Sequence, residues 1–532
     1  MEEGEEPATI DAPAAAPIGG ADDAVGVAAG DVADEVGNEA AGDAANGPGT
    51  HRRIRLVQGG AILLEPDGFR LIESRGMKRS PLHPYESITH VYSADRALLI
   101  GTPKGLLAVR ESDFPEPDEG PEEARRLLLE RLAGRPDGAD SLSRMERVEA
   151  LGDRNHRPYA IWGAVLLCLL GTAFQIRDPL LEKIGAFMPD LFLRGELWRG
   201  MTAHFLHGLP APGLFGFFPS LPGLPVHLAV NVGGMLVLGH LVERPLGSWR
   251  TVLVLMGSGL GTLIGIMMKG HVEVIGASGL VSGLAGAMLA LELHFPAALP
   301  CYWRLPRRLF IGVILLQFVI IDPFFWRFLA GGAHLGGFAG GYVAAWWLGS
   351  PSVEGLSATP RMRIGTYVSL VLVAFGLTSI IPLARREMPA LERHAARLLN
   401  TPSAYHLYEH DNAAAWFISI GEEPTPYGLE LAVALADRAV EMTGQLQAGI
   451  LDTLAEALFQ SGDRLGALIT IDQAIRLRPD IPYFIEQRRR FSGERDPDDR
   501  PADPGTGEQG APSFESPDDV IPIDPSAPRI TV

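Results

Sequence analysis

The sequence predicts a mainly α protein. A polytopic helical membrane bundle of seven spans, six of them forming a core, is flanked by a small β-rich N-terminal domain and a C-terminal α-helical repeat region. Three observations predict this. Charge-free apolar intervals recur through the middle of the chain at lengths that match a bilayer's hydrocarbon core. The formal charge of −19 over 532 residues sits in the two tails, −12 in residues 1–50 and −7 in residues 494–532. Outside the spans, short apolar runs punctuated by turn residues come first and Ala-rich helical periodicity comes last. Residues 51–493 are neutral in sum, so no segment carries the basic excess of a nucleic-acid binder.

Residues 1–50, rich in Ala, Gly, Asp and Glu, read as a disordered acidic tail. The opening MEEGEEPATI lacks an apolar stretch, so no cleavable signal peptide is expected. Residues 51–135 read as the β domain. AILLEPDGFRLIES (61–74) predicts a hairpin across Pro66-Asp67-Gly68, and ALLIGTPKGLLAVRE (97–111) a second across Pro103-Lys104-Gly105. A helix follows, with Pro121 suited to its first position, Glu122 and Glu123 to its positive end, and Gly134 to its stop. Short antiparallel strands closed by one helix resemble a bacterial pleckstrin-homology-like fold, which implies a docking or stabilising role. The two cysteines, Cys168 and Cys301, exclude a disulfide-rich scaffold and a four-Cys zinc site. No metal site and no cofactor is expected.

The bundle core is assigned to residues 155–350. Charge-free intervals fall at 158–176, 251–268, 274–291 and 328–353, and a further one at 364–384 makes the seventh span. Residues 224–242 end a long uncharged stretch and supply another crossing. The interval 309–321 has only 13 residues and counts as a short or tilted span, which Asp322-Pro323 should end abruptly. Arginines cluster in the loops that lie inside if the N-terminus is inside, among them Arg154, Arg157, Arg244, Arg250, Arg304, Arg307 and Arg308. Seven spans then put the C-terminus outside, and the expected location is a bacterial plasma membrane. Residues 400–493 return to soluble helical sequence. Leu451, Leu454, Ala455, Leu458, Gly462, Ala467, Ile471, Ala474 and Pro479 fit the offsets of tetratricopeptide repeats, with a degraded copy around Trp416, Ala432 and Ala439. That resemblance implies a protein or peptide partner. Residues 494–532 read as a second disordered acidic tail.

Polar side chains inside apolar spans are functional candidates unless packing explains them. Ser278 opens one span within GASGLVSG (276–283), and His334 opens another within LAGGAHLGGFAGG (329–341). His227 and Asn231, four residues apart and so on one helix face, open a third. All three helices enter from the same side, which places the four groups at similar depth. Small-residue runs also mark close helix packing, but packing alone does not explain Ser, His, His and Asn together at one depth.

Over roughly residues 158–384 the chain resembles the rhomboid intramembrane serine proteases. The motifs are Gly276-Ala277-Ser278-Gly279 for the nucleophile and Ala333-His334 with Gly337 and Gly341 for the base. To these are added His227 with Asn231, Gly239 with Glu243, and Trp198-Arg199 with Thr202 followed by His207. The resemblance implies an endopeptidase that cuts transmembrane helices of other proteins within the lipid bilayer. It implies Ser278 as nucleophile, His334 as base, and an oxyanion site made by the Ser278 N–H, Asn231 and His227. No carboxylate lies in either catalytic span, so a Ser–His dyad rather than a triad is expected. Two departures stand out: an enlarged loop over 208–226, and Ser282 where relatives often place an aromatic against the histidine ring. A catalytically silent rhomboid-like scaffold or quality-control adaptor is the alternative, although such relatives usually lose Ser or His. A transporter is disfavoured by the absence of an inverted repeat and of a buried carboxylate pair.

Overall fold

The computed structural model describes residues 52–72, 80–94, 96–115, 120–153, 157–178, 180–208, 226–270, 273–300, 304, 307–324, 330–349, 358–402 and 408–502. The N-terminal tail, most of the enlarged loop, Cys301 and the tail beyond 502 therefore lie outside the described residues. Strands β1 (Arg52–Arg55), β2 (Ala61–Leu64), β3 (Gly68–Ile72) and β4 (His83–Pro84) form one antiparallel sheet in chain order. Strands β5 (His90–Ala94), β6 (Ala97–Thr102) and β7 (Gly105–Arg110) form another. Ile62, Leu64, Phe69, Leu98 and Ile100 bury against Ala124, Leu127 and Leu128 of α1 (Pro121–Ala133). Gly134 closes that helix by donating its N–H to the Glu130 carbonyl. A second helix, α2 (Gly138–Asp153), has no counterpart in the sequence reading. Its residues are mostly polar, and Met145 joins the β-domain core from it. So sparse an apolar pattern is a weak periodic signal.

The helical bundle starts with α3 (Tyr159–Arg177). Helix α7 (Val226–Lys269) contains two of the expected intervals, interrupted at Gly247, whose φ of 75° follows Pro245. Gly234 before the break and Thr262 after it both lie against the start of α8 (Ser278–His294). The two halves of α7 therefore run back alongside each other. Next come α9 (Arg307–Leu315), a π-helical turn (Leu316–Ile321), α10 (Asp322–Phe324), α11 (Gly331–Leu348) and α12 (Pro360–Ser379). By length and composition, Tyr159–Arg177, Val226–Lys269 and Pro360–Ala384 could each cross a membrane, and Ser278–His294 is apolar but shorter. The fifth segment departs from expectation, because it stays helical through Pro323 to Phe324. A proline in an α-helix removes one donor and crowds the carbonyl four residues back. The wider π turn just ahead of Pro323 relieves that crowding.

Helix α11 lies between α8 and the second half of α7 at backbone contact. A Cβ built on Gly336 would stand 2.1 Å from the Gly261 carbonyl oxygen, and one on Gly340 2.2 Å from that of Gly257. On the other face, Gly337 and Gly341 would meet the carbonyls of Gly279 and Gly283 at 2.1 and 2.0 Å. Apolar helices in lipid gain little from burying apolar surface, so such packing supplies the cohesion. At the start of α3, the buried Glu243 carboxylate accepts the N–H groups of Ala160 and Ile161, both at 3.0 Å, and the Ser248 hydroxyl. These are amides the helix itself leaves unpaired, at the positive end of its dipole.

The two flanking domains sit at opposite ends of α8. At its last turns Glu292 holds Arg304 at 2.9 Å and Arg307 at 3.2 Å, and Arg304 donates to the Thr102 carbonyl of β6. At the Ser278 end lie α4 (Leu180–Gly185), α5 (Pro189–Leu193) and α6 (Arg199–Thr202). Packed on them are α13 (Ile381–Ala384), α14 (Met388–Leu399), α15 (Tyr408–Ser419), α16 (Pro426–Met442), α17 (Ala448–Gln460), α18 (Arg464–Leu477) and α19 (Pro482–Ser492). Leu180, Ile184, Met188 and Leu191 share one core with Leu391, Trp416, Ala432 and Leu454. Ion pairs cross the same junction: Glu196, which also pairs locally with Arg199 at 2.6 Å, meets His394 at 2.8 Å, and Glu273 meets His410 at 3.3 Å. Residues past 493, where the sequence reading places a tail, still pack on these helices without forming one. Arg500 reaches Glu456 at 2.9 Å, and the Pro497 carbonyl accepts from Arg490. Glu456 is buried and needs cationic partners.

Gly336→Val should lower the thermal midpoint of the protein in detergent by an amount equivalent to about 1–3 kcal/mol or more, because neither backbone can retreat. Light-scattering or intrinsic-fluorescence melts would read this out. Burial alone would raise Glu196, but His394 and Arg199 hold its carboxyl down at about 2. Its stabilisation is thus complete above the ordinary carboxylate range and is lost as pH falls toward 2. A Glu196→Gln variant should melt below the wild type at pH 7, with the gap narrowing toward pH 3.

Candidate active site

Gly276 adopts φ 120° and donates its N–H to the Ala203 carbonyl at 2.8 Å, which turns the chain into α8. Ser278 is the first residue of that helix, so its own N–H has no carbonyl one turn back to bond. His334 is the fourth residue of α11. The close α8–α11 contact brings the two together: Ser278 Oγ and His334 Nε2 are 2.9 Å apart.

His227 lies beside the same turn. A Cβ on Gly276 would come within 2.7 Å of its ring, and the Gly208 N–H donates to its Nδ1 at 3.3 Å. His207 stacks edge-on to it at 5.2 Å between ring centres and bonds Thr172 and Gln175 of α3. Asn231 is buried one turn along α7, where its Nδ2 donates to the His227 carbonyl at 2.9 Å. The remaining motif residues build the frame instead. Arg199 is fully buried and bonds the carbonyls of Lys183 and Ala186, and Trp198 Nε1 donates to Ile184. Gly239 admits Ile161 of α3, and Glu243 caps that helix at the far end of the bundle.

One expectation is corrected. His334 Nδ1 is not without a carboxylate, since Asp322 Oδ1 lies 2.8 Å from it. The acid comes from α10, outside both spans that carry Ser278 and His334, so a search confined to those spans misses it. The signal available was an acid directly following an uncharged apolar stretch, a position where a charge is costly unless it has a partner. Ser282, at the position where the resemblance implies an aromatic, is half-buried, and Asp322 holds the imidazole at Nδ1.

The arrangement provides a hydroxyl hydrogen-bonded to an imidazole, a carboxylate on the imidazole's other nitrogen, and unpaired helix N–H groups beside the hydroxyl. These are the parts needed to activate a serine and to stabilise an oxyanion.

Residues 223–351 match the family model described as a rhomboid domain. "Rhomboid protease GluP" of Bacillus subtilis (strain 168) is 28% identical over 202 residues, 37% of this chain and 34% of that protein. "RHOMBOID-like protein 5" of Arabidopsis thaliana is 29% identical over 170 residues, 31% of this chain and 48% of the relative. "Inactive RHOMBOID-like protein 8" of the same plant is 26% identical over 147 residues, 27% of this chain and 36% of the relative. The matched segments span between about a third and a half of these relatives' lengths. Residues 223–351 thus resemble a rhomboid domain, and that match together with the apolar helices suggests an integral membrane protein.

Proposed function

We propose that this chain is an intramembrane serine endopeptidase that hydrolyses peptide bonds in or near the transmembrane helices of other membrane proteins. The observation that carries the reading is the 2.9 Å contact between Ser278 Oγ and His334 Nε2 at the start of two closely packed apolar helices. His334 takes the Ser278 proton as the hydroxyl attacks the scissile carbonyl, and later delivers a proton to the departing amine. The oxyanion is held by the Ser278 N–H, with the Asn231 amide and the His227 ring as further donors. Water reaches the acyl-enzyme from the end of the bundle where α8 and α11 begin, among polar helix termini and the α4–α6 segment. A silent scaffold is the weaker reading, because nucleophile and base are both present and within bonding distance.

The remaining assignments follow the same reading. The N-terminus is inside and the C-terminus outside a bacterial plasma membrane, after seven crossings. Support comes from the Arg-rich loops and from the β domain and C-terminal helices contacting opposite ends of α8. The β domain is a pleckstrin-homology-like docking module. The C-terminal helices are tetratricopeptide-like and take a protein or peptide partner.

In liposomes holding a labelled transmembrane substrate, Ser278→Ala and His334→Ala should each reduce turnover by on the order of 10⁵-fold or more. Asn231→Ala should cost about 10²–10³ in kcat, as loss of one oxyanion donor does. Cleavage by a pure Ser278→Ala preparation would remove the serine-protease reading. For topology, a reporter active only in the cytoplasm should be silent when fused after Arg500 and active when fused before Arg52. Activity at both ends, or silence at both, would reject the odd number of crossings, and the reverse pattern would reject the N-terminus-inside orientation.

A further inference from the structure

Asp322 is 5% exposed, and its Oδ2 is buried without a hydrogen-bond partner. Its Oδ1 accepts from His334 Nδ1 and from Gln317 Nε2, both at 2.8 Å. The two donors come from different helices, so the carboxylate is aimed from two sides. Gln317 precedes Asp322 by five residues, the hydrogen-bonding period of the π turn that joins them. In a regular α-helix residues five apart do not face each other, so the π turn brings the amide to the acid. Across the gap, a Cβ on Gly331 would stand 3.3 Å from Asp322 Cβ, so the start of α11 is shaped around this side chain. Arg307–Ile321 buries no side chain, and the acid at its end is the first residue of the segment to be buried.

We infer that Asp322 is a positioning residue for the Ser278–His334 pair, delivered by the fifth helical segment and held by Gln317. The inference rests on the serine-protease reading above. A carboxylate on Nδ1 makes that nitrogen the donor, which leaves the Nε2 lone pair free to accept the Ser278 proton. The other tautomer would point an N–H at Ser278 and could not serve as base. Once His334 takes the proton it becomes cationic in surroundings of low dielectric, and the adjacent carboxylate lowers the cost of that charge. The same imidazolium is a counter-charge that the buried carboxylate gains at this place. The segment that carries Asp322 packs loosely, so a productive base requires its end to be seated against α11.

The test uses the full chain in liposomes, with a transmembrane substrate and with a small fluorophosphonate that reacts at Ser278. Asp322→Asn keeps the shape and loses the charge. It should lower kcat by about 10²–10⁴-fold with KM within about threefold, and slow fluorophosphonate labelling in parallel. Asp322→Glu should recover part of the loss. Gln317→Leu leaves the triad atoms intact and loosens the acid, so an intermediate fall of about 3–30-fold in kcat is expected, in line with one lost hydrogen bond. Wild-type kcat and labelling in a folded Asp322→Asn protein would overturn the inference. So would slowed cleavage of the membrane substrate with unchanged labelling, which is the mark of a structural role in substrate entry. Should Asp322→Asn fail to fold, unchanged kcat in Gln317→Leu would overturn it. Ser278→Ala serves as the control: if it is inactive while Asp322→Asn is normal, only this inference fails. Activity in Ser278→Ala would remove the protease reading itself.

Discussion

Backbone contact along the two faces of α11 brings its first turn against that of α8. Gly332, Gly336 and Gly340 meet Gly265, Gly261 and Gly257 of α7, while Gly337 and Gly341 meet Gly279 and Gly283 of α8. Nothing larger fits on α11, since a Cβ on each of these five of its glycines would stand about 2.0–2.6 Å from a carbonyl oxygen of the neighbouring helix. In a bilayer, helices gain little from hiding apolar surface from one another, so dispersion at such short range supplies the cohesion. Under the proposed reading, the same contact places the base. A bulkier α8–α11 interface would hold the helix axes further apart, and a hydrogen bond of 2.9 Å between Ser278 and His334 would not survive that change.

Charge is handled differently at the two ends of this apolar bundle. At the Glu292 end, two arginines neutralise one buried acid and tie the β domain to the helix through the Thr102 carbonyl. At the Ser278 end, Glu196 collects Arg199 and His394, while the apolar residues of α4 and α5 merge with the core of the C-terminal helices. Buried ion pairs of this type contribute little net stability, but they become costly once one member is removed. They therefore act as registers. The C-terminal helices are set at a fixed position beside the mouth of the candidate site, and their core is continuous with the loop that frames it.

The fifth segment holds the sharpest contrast within the bundle. Its apolar residues bury no side chain, yet it ends on a buried carboxylate and contains a π turn. Local irregularity of this kind persists where the surroundings over-determine it, and such places concentrate at functional sites. Two hydrogen bonds to Asp322 and the ring contact of Phe318 with Phe338 supply that constraint here.

Much of this was legible in the amino-acid order. Pro66-Asp67-Gly68 and Pro103-Lys104-Gly105 mark the turns of β2–β3 and β6–β7, because their backbone preferences are local. Pro121 and Gly134 bound α1 for the same reason. Ser278, His334, His227 and Asn231 stood out because a polar group is conspicuous in an apolar span. What the order could not give was the company each group keeps. Asp322 read as a helix terminator, since its link to His334 crosses between elements and depends on a π turn that no local pattern announces. The union of α4 and α5 with the C-terminal core was equally hidden, because residues 180–191 and 391–471 are brought together only by the bundle between them. Local sequence determined the turns, the apolar helices and the polar groups that stand out in them. Tertiary structure decided which carboxylate faces which imidazole, because that depends on helix–helix distances set by packing along the whole length of α11.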